Sequence, residues 1–113
     1  MTPTRPLPPI SAAELAQALA DHAPLRLVDV RQPEEWTSPL GHIEGAELLP
    51  LGTVAQSLDR FAGEEREIIS ICKSGMRAGQ AADFWAKQGL KVRVLQGGML
   101  AWHEAKLPIT RAP

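Results

Sequence analysis

The sequence predicts an α/β domain in which helices pack around a mostly parallel sheet. Two observations support this prediction: short continuous apolar runs have the length of buried strands, and amphipathic patterns of helical period lie between them. Strands that alternate with helices are typical of βα units, whose strands run parallel. The 113 residues are enough for one compact domain, and the 44% hydrophobic share is enough to form its core.

The first predicted element is a helix that begins after Ser11. Ser11 and Glu14 have the spacing of a capping box, in which each side chain accepts a hydrogen bond from the backbone amide of the other residue. Leu15 and Leu19 then lie on one apolar face, and Pro24 stands just beyond the predicted end.

The remaining elements follow from alternating apolar runs and helical patterns. Three apolar runs have the length of strands: residues 25–30, 68–72 and 92–95. A shorter run before Pro50, residues 47–49, is a weaker strand candidate. Helical patterns cover residues 51–61, 78–85 and 99–105. Residues 1–9 are rich in proline, which blocks regular hydrogen bonding, so they are predicted to be an extended tail. A domain over residues 10–109 and a short tail over 110–113 complete the prediction.

Composition and charge exclude several classes of function. The formal net charge of −1 provides no electrostatic basis for binding nucleic acid or an anionic membrane. The single cysteine, Cys72, excludes an internal disulfide, and the three histidines lack the spacing of metal ligands. We therefore expect no metal and no cofactor. No apolar stretch approaches the roughly 20 residues of a membrane-spanning helix, so a cytoplasmic protein is expected.

The loop that begins at Cys72 is the strongest candidate for chemistry. It follows a buried strand and precedes a helix, so unpaired amides and the positive end of the helix dipole favour a thiolate there. Lys73 and Arg77 add positive charge, and Gly75 allows the backbone to curl around an anion. A lone cysteine is often only a small core residue, but a core cysteine needs neither cations nor glycine around it. The pattern therefore favours a reactive nucleophile.

The spacing within this loop distinguishes two kinds of nucleophilic chemistry. A cysteine ahead of an arginine could serve phosphoryl transfer or sulfur transfer. Cysteine phosphatases place five residues between the two, whereas four separate Cys72 from Arg77. The shorter loop leaves room for about one extra sulfur atom on the thiolate rather than for a phosphate, which favours sulfur transfer.

The sequence resembles the rhodanese sulfurtransferase family in four motifs, which occur in the family's order within residues 10–109. The motifs are D-x-R-x-x-x-E-[YFW], G-H-I-x-G-A, C-x-x-G-x-R and G-G-x-x-x-W, and they correspond here to residues 29–36, 41–46, 72–77 and 97–102. Any one of them is weak evidence, but four in the right order are specific.

The resemblance implies a rhodanese-like fold, a five-stranded parallel sheet with helices on both faces. It also implies that Cys72 is the catalytic residue, which accepts a sulfane sulfur as a persulfide and passes it to an acceptor in a ping-pong reaction. The substrate-binding residues would be those of the loop: Lys73, Ser74, Gly75, Met76 and Arg77. The implied partners are a small sulfur donor such as thiosulfate and a thiophilic or thiol acceptor, which could be a sulfur-carrier protein.

Residues outside the loop have structural or tuning roles in this interpretation. Asp29 and Arg31 form a predicted ion pair that braces the loops or tunes the site electrostatically. His42 is expected to be structural and to bond backbone, and Trp36 could form a wall of the pocket. Residues 37–40, which lengthen the segment before the second motif, are expected to edge the active site.

The same loop is compatible with two functions other than a free-standing enzyme. A persulfide relay would use Cys72 in the same way, but with partner proteins as donor and acceptor. A non-catalytic binding domain of the same family is disfavoured, because such domains usually lack the cysteine.

Overall fold

The computed structural model describes residues 4–113, which form a parallel sheet with helices on both faces. The strands are β1 (Leu25–Asp29), β2 (Glu47–Leu48), β3 (Glu67–Ile71) and β4 (Val92–Val94). The α-helices are α1 (Ala12–Ala20), α2 (Pro33–Trp36), α3 (Met76–Lys87) and α4 (Gly98–Glu104), with 3₁₀ segments at Leu51–Thr53 and Ala55–Phe61. Within residues 4–113, no helix is long and apolar enough to cross a membrane.

The order of the strands places the candidate loop at a switch point of the sheet. The order is β2-β1-β3-β4, so the chain adds β2 on one side of β1 and β3 on the other. In open parallel sheets, ligands bind at the carboxyl ends of strands where the order reverses in this way. Arg31 follows β1 there, and Cys72 follows β3. The Val30 amide donates to the Ile71 carbonyl at 2.8 Å, which keeps the two strand ends together.

The expected number of strands is wrong by one, because the sheet has four strands rather than five. The segment that could have supplied a fifth lies along the free edge of β4, where the amides of Leu7 and Ile10 donate to β4 carbonyls at 2.9 and 3.0 Å. Pro8 and Pro9 have no N–H to donate, so the pairing remains an isolated bridge at Ile10. The predicted tail starts at residue 1, and residues 1–3 lie outside the described residues.

The helices begin and end close to where the sequence predicts. The capping box at α1 is confirmed: the Ser11 amide donates to Glu14 Oε1 at 2.9 Å, and the Glu14 amide donates to Ser11 Oγ at 3.1 Å. The pattern over residues 51–61 forms 3₁₀ helix instead of α-helix, with a kink at Ser57. Gly52, Thr53 and Ser57 are weak α-helix formers, and their clustering in so short a connection accounts for this difference.

Two apolar cores hold the helices on the two faces of the sheet. Alternate residues of a strand point to opposite faces, so Ile68 packs with α3 and the 3₁₀ segments while Ile69 packs with α1 and α4. Trp85 is the largest buried side chain of the first core and Trp102 anchors the second. The sheet is thus fixed from both sides, and the loops at its carboxyl edge are held by rigid elements.

Residues 110 and 111, within the predicted short tail, are attached to the domain by hydrogen bonds. The amide and carbonyl of Thr110 each form a 2.9 Å hydrogen bond with the backbone of His42. Arg111 adds side-chain hydrogen bonds to the carbonyls of Ser38 and Pro39. These contacts fix residues 38–42, the segment that leads to the second motif.

Candidate active site

Cys72 lies directly after β3, at the base of a loop that ends in the first turn of α3. The residue is 1% exposed, and its Sγ accepts a hydrogen bond from the Gly75 amide at 2.9 Å. Gly75 has a φ of +118°, a conformation that a residue with a side chain rarely adopts. The loop therefore curls back on the thiol, with a backbone amide directed at the sulfur.

Helix α4 holds the beginning of this loop through its first amides. Met99 N–H donates to the Cys72 carbonyl at 2.8 Å, and Leu100 N–H donates to the Lys73 carbonyl at 3.0 Å. A trans peptide directs its C=O and N–H to opposite sides, and all described peptides are trans. The amides of Lys73 and Ser74 therefore point away from α4, and neither donates to a backbone carbonyl of residues 4–113.

Gly98 explains why the last motif has two glycines. It has a φ of +57°, and a Cβ atom added there would lie 2.6 Å from the carbonyl carbon of Lys73 and would also meet the Cys72 carbonyl oxygen. Only glycine allows α4 to approach the loop this closely. The motif is thus a contact between α4 and the candidate nucleophile loop, and not only a helix start.

Arg77, at the other end of the loop, is paired with Glu35 of α2. Two parallel hydrogen bonds of 2.8 and 3.0 Å join the guanidinium to the carboxylate. The hydrogen bonds from Arg77 lower the pKa of Glu35 to about 2, and those to Glu35 raise the pKa of Arg77. Arg77 is predicted to bind substrate. In the structure it lies at the end of the loop, and the Glu35 carboxylate already balances its positive charge.

Asp29 and Arg31 form the predicted ion pair, which is buried behind the loops. Arg31 Nε and Nη2 donate to the Asp29 carboxylate at 2.9 and 2.8 Å, and both side chains are 1% exposed. Arg31 Nη2 also donates to the Gly41 carbonyl at 2.7 Å. The pair joins the loop after β1 to the loop before β2, the geometry that bracing requires.

The other side chains of the loop face outward. Lys73 and Ser74 are exposed, and Met76 is 78% exposed. Within residues 4–113, Lys73 forms no salt bridge, whereas both neighbouring arginines do. The thiol is thus buried against apolar side chains and the Gly75 amide, and the exposed Lys73 follows it in the chain.

A cleft of about 340 Å³ lies between this loop and the segment before the second motif. It is lined by Arg31, Glu35, Ser38, Pro39, Leu40 and Lys73. Residues 38–40 therefore line a cleft together with Lys73 of the loop, and Cys72 is not among its lining residues.

Trp36 lies to one side of this cleft rather than forming its wall. Its ring stacks on that of His42 with the centroids 3.4 Å apart. His42 Nδ1 also donates to the Trp36 carbonyl at 2.8 Å, which confirms the predicted backbone bond. The stack supports the segment that carries the cleft wall.

A cavity of about 620 Å³ is remote from the thiol. It is lined by residues that precede β3 and follow α3, among them Phe61, Glu64 and Leu90, and so lies at the amino ends of the strands. Among the described residues, no group of three or more His, Cys, Asp or Glu side chains is placed to hold a metal ion.

Sequence reasoning missed three contributions to the site. Glu35 belongs to a quoted motif, but its pairing with Arg77 spans 42 positions and has no local signal. Arg111 lies in a segment without pattern, so its contacts with residues 38 and 39 could not be read from the sequence. The close approach of Gly98 could have been inferred from the double glycine, which is typical of tight backbone contact.

Comparisons with known proteins agree with this geometry. A rhodanese-like domain model matches residues 11–105. The chain is 35% identical to a sulfurtransferase of Allochromatium vinosum, over 88% of this chain and 92% of that protein. It is 32% identical to the thiosulfate sulfurtransferase GlpE of Vibrio cholerae, over 83% of this chain and 87% of that protein.

A third relative and a solved structure extend the comparison. The chain is 35% identical to a protein named as a sulfur carrier, YrkF of Bacillus subtilis, over 85% of this chain and 51% of that protein. A crystal structure of a rhodanese-related protein from Thermoplasma volcanium matches with a TM-score of 0.84 at 24% identity, over 94% of this chain and 100% of that chain. The likeness to the Thermoplasma volcanium structure shows the fold of this chain.

Proposed function

This chain belongs to the rhodanese-like domain family, and on that premise we propose that it transfers a sulfane sulfur through a persulfide on Cys72. The donor is thiosulfate or another sulfane sulfur compound, and the acceptor is thiophilic. The observation that supports the proposal best is the short loop around the thiol, in which the Gly75 amide lies 2.9 Å from Sγ.

In the first step, the Cys72 thiolate attacks the outer sulfur of thiosulfate. A bond forms between Sγ and that sulfur, the S–S bond of thiosulfate breaks, and its electron pair leaves with sulfite. The remaining persulfide anion extends about 2 Å beyond Sγ, toward the loop amides that are not used elsewhere. Such preorganised donors stabilise developing negative charge without reorganisation.

In the second step, an acceptor removes the outer sulfur. With cyanide, carbon attacks that sulfur, the Sγ–S bond breaks, and its electron pair restores the Cys72 thiolate as thiocyanate leaves. The chain has one cysteine, so it cannot resolve its own persulfide as a disulfide. An external acceptor is therefore part of the proposed cycle.

Intact-protein mass spectrometry tests this proposal directly. After incubation with thiosulfate we expect a gain of one sulfur mass, which cyanide removes with release of thiocyanate. Cys72→Ser should keep the fold, as judged by circular dichroism, and show no gain. A wild-type protein that gains no sulfur from thiosulfate or from polysulfide while Cys72 reacts with an alkylating agent would overturn the proposal.

A second candidate function is a persulfide relay between proteins. Met76 in the loop is 78% exposed and Leu100, whose amide bonds the loop, is 44% exposed. Small anions gain nothing from such side chains, whereas apolar contacts favour a protein surface. A high KM for thiosulfate, together with rapid uptake of sulfur from persulfidated proteins, would favour the relay.

A further inference from the structure

We propose that Ser70, a buried residue of β3, is a positioning residue that holds the Gly75 amide in place beside the Cys72 thiol. The inference rests on the proposed function, because the reaction that it affects is persulfide formation. Ser70 lies outside the loop and outside the four motifs. Its effect on the Gly75 amide can be measured in protein that has met no sulfur donor.

Ser70 is a polar residue among apolar ones. It is 0% exposed, and the other buried residues of β3 are all isoleucines. Burial of a hydroxyl group costs free energy unless the group is hydrogen-bonded. Ser70 Oγ donates to the carbonyl of Ala78, in the first turn of α3, at 2.9 Å. The hydroxyl therefore makes a directed contact at a position where an apolar side chain would contribute only packing.

The Ser70 side chain lies on the same face of the sheet as the thiol. Alternate residues of a strand share a face, and Ile68 and Cys72, two positions to either side, both pack in the core beneath α3. Two strand residues span roughly 6.6 Å. The strands β1 and β4 pair with β3 on its two sides, where Val28 and Val94 lie opposite Ser70. The hydroxyl is thus held by the interior of the sheet, close to the candidate nucleophile.

A single peptide group connects the Ser70 hydroxyl to the loop. The Ala78 carbonyl and the Gly79 amide belong to the same trans peptide, so they point to opposite sides. The carbonyl accepts from Ser70 at 2.9 Å, and the Gly79 amide donates to the Gly75 carbonyl at 2.8 Å. The Gly75 amide in turn donates to Cys72 Sγ at 2.9 Å. Three hydrogen bonds in series therefore join the Ser70 hydroxyl to the sulfur.

Gly75 depends on these hydrogen bonds for its orientation. Its φ is +118°, and, apart from its chain neighbours, no atom lies within 4 Å of the position that a Cβ would occupy. Glycine has the most flexible backbone of all residues, so the hydrogen bonds of its carbonyl and amide hold it. A hydrogen bond to the Ala78 carbonyl also polarises the peptide and strengthens the Gly79 amide as a donor. Removal of the Ser70 hydroxyl should therefore loosen Gly75.

The consequence for the reaction follows from the charge on the sulfur. A donor that is held in place stabilises a developing anion without reorganisation, whereas a mobile donor must first be ordered. The Gly75 amide is the donor that contacts Cys72 Sγ. Ser70 therefore acts on persulfide formation through Gly75, without contact with the substrate.

The test compares Ser70 variants with and without a hydroxyl group. Ser70→Ala removes the group. Ser70→Thr and Ser70→Val have the same shape and differ in the hydroxyl, so the effect of added volume cancels between them. The measured quantities are the hydrogen-exchange rate of the Gly75 amide, by NMR of the reduced protein without donor, and the single-turnover rate of loading from thiosulfate, by mass spectrometry. Ser11→Ala removes a hydroxyl hydrogen bond from α1, which packs in the other core, and controls for lost stability.

We expect Ser70→Ala to speed exchange of the Gly75 amide and to slow loading, each by about three- to tenfold, the size of one lost hydrogen bond. Ser70→Val should differ from Ser70→Thr in the same directions and by similar factors. Ser11→Ala should leave both rates as in the wild type, because a loop amide exchanges by local opening.

Three results would overturn the inference: wild-type exchange of Gly75 or wild-type loading in Ser70→Ala, equal rates in Ser70→Thr and Ser70→Val, or equal effects of Ser70→Ala and Ser11→Ala. Failure of the wild type to load sulfur would instead count against the proposed function. The exchange rates of Gly75 would then still decide whether Ser70 positions its amide.

Discussion

Single side chains in this site are arranged so that most charges cancel. Asp29 neutralises Arg31 behind the loops, and Glu35 neutralises Arg77 at the loop's end. The two arginines therefore join neighbouring segments, Arg31 through the Gly41 carbonyl and Arg77 through the Glu35 carboxylate of α2. In the proposed function, the binding of an anionic substrate is therefore assigned to backbone amides and Lys73.

The Glu35–Arg77 pair should make stability depend on pH in acid. The pKa of Glu35 falls from 4.5 to about 2 on folding, so the pair stabilises the protein above pH 4.5 and its contribution is lost as the pH falls toward 2. Both side chains are about 30% exposed, so solvent screens them and we expect about 1–2 kcal/mol at pH 7.

Urea unfolding of Glu35→Gln and wild type at several pH values measures this contribution. The difference in the free energy of unfolding should be constant from pH 7 to about pH 5.5 and should shrink between pH 4.5 and 2. Glu34→Gln removes an exposed charge from the same helix and serves as the control. A Glu35→Gln difference that is the same at pH 3 as at pH 7 would show that the carboxylate charge is not responsible.

At the scale of elements, α4 acts as a clamp on the loop that follows β3. Its first amides bond the carbonyls of Cys72 and Lys73, and Gly98 makes the approach possible. The position of the loop therefore depends on packing between α4 and β3, and not only on the loop's own residues.

This clamp predicts that substitution of Gly98 impairs the loop, whereas substitution of Gly79 only stabilises a helix. Gly98→Ala should reduce the rate of persulfide formation by at least about tenfold, because the new Cβ collides with loop backbone and the φ of +57° is unfavourable for alanine. Gly79→Ala, inside α3 with open space around it, should raise the free energy of unfolding by about 0.5–1 kcal/mol.

Loading rates by mass spectrometry and urea unfolding distinguish the two glycines. Gly79→Ala controls for the general effect of adding a methyl group near the site. Wild-type loading by Gly98→Ala would mean that the loop tolerates displacement of α4 and that the clamp is unimportant.

The sequence predicts those elements whose signals are local. The Ser11 capping box and the positions of β1, β3 and α3 could be predicted because periodicity and capping act within a few residues. The 3₁₀ pitch of Ala55–Phe61 was missed because apolar spacing does not distinguish the two helix types over so short a segment. The Glu35–Arg77 pair and the Thr110–His42 bridge were missed because only the folded chain brings such distant residues together.

At the scale of the whole molecule, the N-terminal segment determines how one edge of the sheet ends. β4 has β3 on one side and residues 7–10 on the other, and Arg93 Nη1 also donates to the Pro8 carbonyl at 2.9 Å. An open strand edge is a template for pairing with another chain. The prolines cover β4 and present no N–H of their own to solvent at those positions, so the edge is blunted.

Removal of residues 1–9 should therefore have two effects. The free energy of unfolding should fall by about 1–3 kcal/mol, since the hydrogen bonds from Leu7 and to Pro8 are lost and each contributes roughly 1 kcal/mol. The freed β4 edge should also promote self-association, which light scattering would detect as a mass that rises with protein concentration. Removal of residues 1–5 keeps both hydrogen bonds and is the control. If the two truncated proteins are equally stable and both remain monomeric at the same concentration, the proline segment has no role in covering the sheet.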